Sequence, residues 1–408
     1  MSAVAARALR ASRPAAGVAG AAVAVGAVLA TAVAAYFTRR VVTPDHVKPD
    51  DVQVLDVDLA ATPPTVTLVR TDDTVVDGRY GLWWGGREGH ARLGRVVFAD
   101  DDVVVREVLA VEHGELRAGP ARWNQYFYSG APSESLGLAH EDVEVASELG
   151  AMPAWHVPAD DAGELAESGT WAVLVHGRGA TREECLRAVP PLHRLGLPVL
   201  VPSYRNDLDA PRDPAGRYHL GDREWLDVEA GLEWAVARGA RRVVLVGWSM
   251  GGAIVLQAAT RSSAADRVVA VVLDAPVVDW HDVLAHHSRV NHVPGPVARL
   301  GHAMMRHPLG RRVVGLEQPL DLRRLNWVAR ASELRLPVLL VHSDADEFVP
   351  NGPSKALAAA RPDLVTLVPW RHGRHTKEWN TDPDRWDEVV TAFVREQVRD
   401  DLRRASTA

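Results

Sequence analysis

The sequence predicts an α/β protein: a mostly parallel central sheet with helices on both faces, preceded by a small β-rich domain and an N-terminal apolar helix. Three observations carry this reading. From about Glu141 onward, short and continuously apolar segments alternate with helical ones, the rhythm of a parallel sheet buried on both faces. From about Thr65 to Phe127 the chain instead shows strand-like segments separated by Asp- and Gly-rich turns. Ala15 to Phe37 contains no charged residue at all.

That first segment, residues 15–37, is long enough to cross a bilayer, since a helix rises about 1.5 Å per residue and the hydrocarbon layer is about 30 Å thick. Arg7, Arg10 and Arg13 precede it; Tyr36, Phe37, Arg39 and Arg40 close it as an interfacial stop would. We expect residues 1–40 to be a membrane anchor. The small-residue pattern Ala32-Val33-Ala34 keeps open a cleaved, secreted alternative. The slight excess of positive charge on the N-terminal side places the remainder outside the cytoplasm. Residues 41–64, with Pro44, Pro49, Asp45, Asp50 and Asp51, read as a linker.

Residues 65–140 read as the β-rich domain. Val66-Thr67-Leu68-Val69 is a strand, Asp77-Gly78 a hairpin signal, and Asp100-Asp101-Asp102 a turn between two valine-rich strands. Trp83, Trp84, Trp123, Tyr126, Phe127 and Tyr128 supply its core or its contact with the next domain. In residues 141–408, strands are expected at 143–149, 155–157, 171–175, 198–201, 242–246, 268–273, 338–341 and 365–368. Helices are expected between them, with a cap inserted at about 280–327.

The 408 residues are 47% hydrophobic and 24% charged, an ordinary globular balance. A net charge of -7 gives no basic face for nucleic acid, so no such partner is expected. The single cysteine, Cys185, excludes an intrachain disulfide and reads as a packing residue. Oligomeric state is not legible.

The chemistry concentrates in Gly247-Trp248-Ser249-Met250-Gly251, with Gly252 following, between an apolar strand and a small-residue helix. That is the context of a nucleophile elbow, a turn so sharp that glycines must flank it. A serine hydroxyl needs a base to take its proton. After the strand at 338–341 comes His342-Ser343-Asp344-Ala345-Asp346-Glu347-Phe348-Val349-Pro350; Asp346 is the candidate acid, Asp344 and Glu347 its alternatives. After the last strand comes His372-Gly373-Arg374-His375-Thr376; His375 is the candidate base, His372 its rival. Oxyanion donors are expected from the Met250 N–H and from the loop His176-Gly177-Arg178-Gly179, where the Arg178 backbone is assigned and His176 braces. Trp248, and Tyr204 in Tyr204-Arg205-Asn206-Asp207, are candidate substrate-binding residues; for Tyr204 a structural turn is an equal alternative.

These pieces, in this order, resemble the α/β-hydrolase superfamily, in particular its prolyl-oligopeptidase-like and serine-aminopeptidase-like branches. The likeness spans about Glu141 to the C-terminus. It implies a Ser249-Asp346-His375 serine hydrolase with no cofactor or metal, acting on a small-molecule ester or peptide. The fold alone does not choose between esterase, peptidase and a catalytically silent binding scaffold. About a hundred residues precede the catalytic part, too few for the β-propeller of the oligopeptidases.

The expected cap carries His281, His286, His287, His292, His302 and His307 at irregular spacing, without carboxylate or cysteine clusters at ligand spacing, so a metal site is not expected. It also carries Arg289, Arg299, Arg306, Arg311 and Arg312 against Asp282, Glu317 and Asp321. An enzyme that captures a free amine needs carboxylates, so neutral or anionic acyl compounds are favoured over aminopeptidase substrates.

Overall fold

The computed structural model describes residues 24–46 and 48–407, which form two compact units. The smaller joins the N-terminal segment up to Thr43 with Leu284–Asp321; the larger comprises Pro44–Val283 and Leu322–Ala408. The α-helices in chain order are α1 (Ala24–Val42), α2 (Pro132–Ser135), α3 (Val189–Arg194), α4 (Trp225–Ala237), α5 (Met250–Arg261), α6 (Trp280–Val290), α7 (Gly295–Arg306), α8 (Gly310–Val314), α9 (Gly352–Ala360), α10 (Glu378–Thr381) and α11 (Pro383–Thr407).

In the smaller unit, α1 approaches α7 closely because Gly301 has no side chain. A Cβ there would meet Thr38 Oγ1 at 2.5 Å. Ala34, Thr38 and Val42 are buried, whereas Val25, Val28, Leu29 and Tyr36 are exposed. Residues 1–23 of the expected anchor, and with them the first part of the 15–37 span, lie outside the described residues.

The larger unit opens with a closed six-stranded antiparallel barrel: β1 (Val52–Asp58), β2 (Thr65–Val69), β3 (Tyr80–Trp84), β4 (Gly89–Ala99), β5 (Val103–His113) and β6 (Gly119–Asn124), in the order β1-β2-β5-β4-β3-β6. Its core is the inward set Val54, Val66, Leu68, Leu82, Leu93 and Trp123. Strand β1 lies in the stretch read as linker, where Val52 and Val54 alternate with polar and exposed residues. Asp77-Gly78 is not a hairpin turn: β2 pairs with β5 and β3 with β4 and β6. The connection instead wraps the buried Arg106, whose guanidinium donates to the carbonyls of Thr74, Val76 and Gly78. Full closure leaves the barrel no free sheet edge.

The second sheet has eight strands: β7 (Glu141–Ser147), β8 (Gly150–Val157), β9 (Thr170–Val175), β10 (Val199–Pro202), β11 (Arg242–Trp248), β12 (Val268–Asp274), β13 (Val338–Ser343) and β14 (Val365–Trp370). Their order is β14-β13-β12-β11-β9-β10-β8-β7. The β7–β8 and β8–β10 pairs are antiparallel and the rest parallel. All residues of β9, β10, β12 and β13 are buried, because helices cover both faces. Helix α11 packs Trp386, Val390, Phe393, Val394 and Val398, one helical stripe, toward the core. The strand order reverses between β9 and β11. Their C-terminal ends therefore open the crevice where open α/β sheets place their ligands.

Candidate active site

At the end of β11 the chain turns abruptly at Ser249, whose φ of 51° and ψ of -116° are strained for a residue with a side chain. The surroundings over-determine it. Its N–H donates to the Asp274 carbonyl at 3.1 Å, and its own carbonyl accepts from Gly252 and Val277, each at 3.0 Å. The flanking glycines are obligatory here. A Cβ on Gly247 would lie 2.5 Å from the Gly251 carbonyl oxygen, and one on Gly251 would lie 2.2 Å from that of Val175.

Three expected side chains meet at this turn. Ser249 Oγ lies 2.9 Å from His375 Nε2, and His375 Nδ1 lies 2.7 Å from Asp346 Oδ2. A carboxylate only accepts, so Nδ1 carries the proton and Nε2 is left to accept from the serine hydroxyl. Asp346 is fixed by its own turn: Oδ1 accepts from the Phe348 and Val349 amides at 2.9 and 2.8 Å. Its Oδ2 also receives His342 Nε2–H at 3.2 Å, and His342 Nδ1 accepts from Ser354. Burial opposes ionisation of Asp346, but the adjacent His375 and the two imidazole hydrogen bonds outweigh it and hold the carboxyl well below the usual carboxylate range. The rival acids are engaged elsewhere: Asp344 with Lys355 and Asn351, Glu347 with Arg374.

On the other side of the nucleophile, Gly177 passes so close that a Cβ on it would sit 3.2 Å from Ser249 Cβ. The Gly177 carbonyl accepts from Tyr204 Oη at 2.7 Å and from His176 Nδ1 at 3.0 Å. The peptide unit is planar and trans, so fixing this carbonyl fixes the direction of the Arg178 N–H opposite it. The Gly177 N–H in turn donates to Glu184 Oε2 at 2.7 Å. His176, fully buried, also donates from Nε2 to Asp207 Oδ2 at 2.9 Å. Both its nitrogens face acceptors, and although burial works against it, Asp207 raises its pKa and favours the imidazolium. Met250 opens α5 directly after Ser249, so its N–H stands at the positive end of that helix. The Arg178 guanidinium lies over the Tyr218 ring at 5.8 Å.

The pocket reading of Trp248 is corrected, and of the two readings of Tyr204 its burial favours the structural one. Tyr204 is 1% exposed and Trp248 0% exposed, so neither lines a substrate pocket. Tyr204 braces the Gly177 peptide from below and stacks on His176; Trp248 packs against Trp386, with Arg187 over its ring. The sequence reading named Asp207 only within the Tyr204–Asp207 stretch and did not reach Glu184 or Arg187. The last, 3% exposed, donates to the Thr376 carbonyl at 2.6 Å and so grips the loop carrying His375. It also did not reach the buried carboxyls Asp274 and Glu378, which accept from Trp386 Nε1 at 2.7 Å and from the Ser343 N–H at 3.0 Å. Among the described residues no group of three or more histidines, cysteines or carboxylates is placed to hold a metal ion.

Two family profiles match the chain: one described as a domain of unknown function at residues 53–124, and one described as the alpha/beta hydrolase family at residues 172–404. No curated protein matches. Among solved structures, an esterase of Pyrococcus furiosus is similar at 17% identity and a TM-score of 0.50, covering 66% of this chain and 96% of that one. A meta-cleavage product hydrolase of Pseudomonas fluorescens shares 16% identity at a TM-score of 0.43, covering 64% of this chain and 99% of its own. A thermophilic esterase of Thermogutta terrifontis shares 17% at 0.42, covering 63% and 98%. The matched profile spans more than half of the sequence and includes every residue of the Ser249, Asp346 and His375 constellation; the chain belongs to the α/β-hydrolase family.

Proposed function

We propose that the protein is a serine hydrolase that cleaves carboxylic ester-type bonds through an acyl-enzyme, held at a membrane by α1. The observation that carries the chemistry is the unbroken relay Ser249 Oγ, His375 Nε2, His375 Nδ1, Asp346 Oδ2 at 2.9 and 2.7 Å. His375 takes the Ser249 proton as the oxygen attacks the ester carbonyl. Asp346 holds the imidazole in the required tautomer and stabilises its charged form. The Met250 and Arg178 amides receive the developing oxyanion, a contribution of about 3–4 kcal/mol per donor in such sites. His375 then hands its proton to the leaving alcohol, and in the second half activates water to release the acid. No step calls for a cofactor.

Ester rather than amine-bearing peptide substrates are favoured by the commitment of the nearby buried carboxylates. Glu184, Asp207 and Asp346 are bound to Gly177, His176 and His375, so they are poorly placed to hold a substrate ammonium. A panel of short acyl p-nitrophenyl esters against aminoacyl arylamides tests this: the esters turn over, and comparable turnover of the arylamides refutes it. The anchor reading is supported by α1, 19 residues long, apolar enough to cross a bilayer and mostly exposed. Resistance of the full chain to carbonate extraction, with an intact N-terminus, is the expected result; a mature chain starting near Ala34 would show a cleaved signal instead.

A further inference from the structure

The barrel touches the two loops on which the proposed chemistry depends, and it does so with defined polar contacts. At its exit, Gln125 donates from Nε2 to Glu184 Oε1 at 3.1 Å. Glu184 is 3% exposed, and its other oxygen accepts the Gly177 N–H at 2.7 Å. A chain of two hydrogen bonds therefore runs from the barrel to the N–H of the His176–Gly177 peptide, one peptide before the one that carries the Arg178 N–H. The next residue, Tyr126, accepts the Thr181 N–H on its hydroxyl at 3.1 Å, and Arg87 pairs with Glu183 at 2.7 Å, so the same loop is held at three points.

The histidine side is held as well. Asp73, after β2, accepts from Lys377 at 2.5 Å and faces Arg374 at 3.5 Å; these residues bracket His375. Asn380 exchanges hydrogen bonds with the backbone of Arg79 at 2.8 and 2.6 Å and donates to the Gln125 carbonyl at 2.9 Å. Gly78 permits this approach, since a Cβ there would lie 2.2 Å from the Asn380 carbonyl oxygen. Gln125 thus reaches the oxyanion side through its side chain and, through its backbone, Asn380 in α10, the helix that follows the histidine loop.

We propose that the barrel is a positioning domain, and that Gln125, acting through Glu184, sets the Gly177–Arg178 peptide in the orientation that binds the oxyanion. The inference rests on the serine-hydrolase reading. Without its Gln125 donor, the buried Glu184 carboxylate must find another partner. Arg187 is at hand, with its Nη2 3.9 Å away and its Nη1 holding Thr376. A shift of either group misaligns the Arg178 N–H or His375.

The test is Gln125→Ala in the full chain, assayed on a p-nitrophenyl ester and on its thionoester, whose sulfur fits an oxyanion hole poorly. Expected is a fall of about 10–100-fold in kcat on the ester, a part of the ~100–1,000-fold lost when a donor is removed outright, with KM within about twofold. The thionoester falls less, so the ester-to-thionoester ratio drops; loss of folded enzyme would lower both alike. Tyr126→Phe, which removes one hydrogen bond from the same loop, should move the ratio in the same direction and serves where Gln125→Ala folds poorly. Arg117→Ala, at an exposed pair with Glu115 elsewhere on the barrel, should leave both rates unchanged. The proposal is overturned if Gln125→Ala and Tyr126→Phe leave kcat intact or scale both substrates equally. If instead wild type hydrolyses neither substrate and takes up no fluorophosphonate, it is the hydrolase reading that has failed.

Discussion

Asp346→Asn changes one atom of the side chain and should remove most of the activity. In the wild type, Oδ1 is committed to the Phe348 and Val349 amides, and Oδ2 receives both imidazoles, His375 at 2.7 Å and His342 at 3.2 Å. An asparagine must keep its carbonyl oxygen toward the two amides, because turning its NH2 there would set donor against donor in a buried turn. The NH2 then faces His375 Nδ1. The imidazole can accept from it only by moving its own proton to Nε2, the nitrogen that must take the Ser249 proton. The variant should fold, bind substrate and hold the wrong tautomer. The worked case of this substitution in another serine hydrolase gives a loss of about 10^4-fold, or ~5.5 kcal/mol of barrier. The assay is kcat/KM on a short acyl ester, with thermal unfolding in parallel to confirm the fold. A loss smaller than about tenfold in a folded variant would refute the assignment of Asp346 as the orienting acid. Because the Asp346 pKa is depressed in the folded protein, its contribution to stability is present above the usual value of 3.8 and is lost as pH falls through the depressed one. Wild type should therefore lose more Tm between pH 5 and pH 3 than Asp346→Asn.

The Asp274–Glu378 pair shifts the other way. Burial first, and the Asp274 charge second, push the Glu378 carboxyl well above its usual value of 4.5. Its contribution to stability is complete at low pH and is lost as pH rises through the raised pKa. Glu378→Gln cannot ionise and should gain Tm relative to wild type as pH is raised above the usual value of 4.5; a constant difference from pH 5 to pH 9 would contradict this. Trp386→Phe deletes a 2.7 Å hydrogen bond to the fully buried Asp274 and should cost about 1–3 kcal/mol in denaturant unfolding; a change under ~0.5 kcal/mol would show that this bond does not hold the pair. Gly177→Ala would place a methyl 3.2 Å from Ser249 Cβ and 3.3 Å from Glu184 Oε2. It should lower kcat by tenfold or more with little loss of Tm, and unaltered turnover would mean that the loop yields.

Legibility in the sequence tracks the range of each interaction. Ser249 sits in a pentapeptide whose glycines are dictated by its own turn, and Asp346 and His375 each come after an apolar strand in an order the fold imposes. Those are local signals. The supporting groups are not local. Gln125 meets Glu184 across 59 residues, and Arg187 meets Thr376 across 189, so no spacing rule finds them. Trp248 and Tyr204 adjoin active-site motifs, which is why the sequence points to them as pocket residues. Trp248 ends a strand buried on both faces and has no outward side, whereas Tyr204, two residues past β10, is turned under the loop. In the barrel, β1 is obscured by Asp51 and Gln53, which alternate with the inward Val52 and Val54 as an antiparallel strand with one wet face requires, and by the register shift that follows Val54. Asp77-Gly78 has the composition of a tight hairpin, yet its backbone is spent on Arg106, a partner that only the closed barrel brings within reach.

Ser249 Oγ must be the atom that takes the acyl group. Incubation with a fluorophosphonate, then peptide mass spectrometry, measures this without knowledge of the substrate. The adduct should fall on Ser249 in wild type, be absent in Ser249→Ala, and form far more slowly in His375→Ala. Adduct on any other residue, or ester hydrolysis by Ser249→Ala at the wild-type rate, would contradict it.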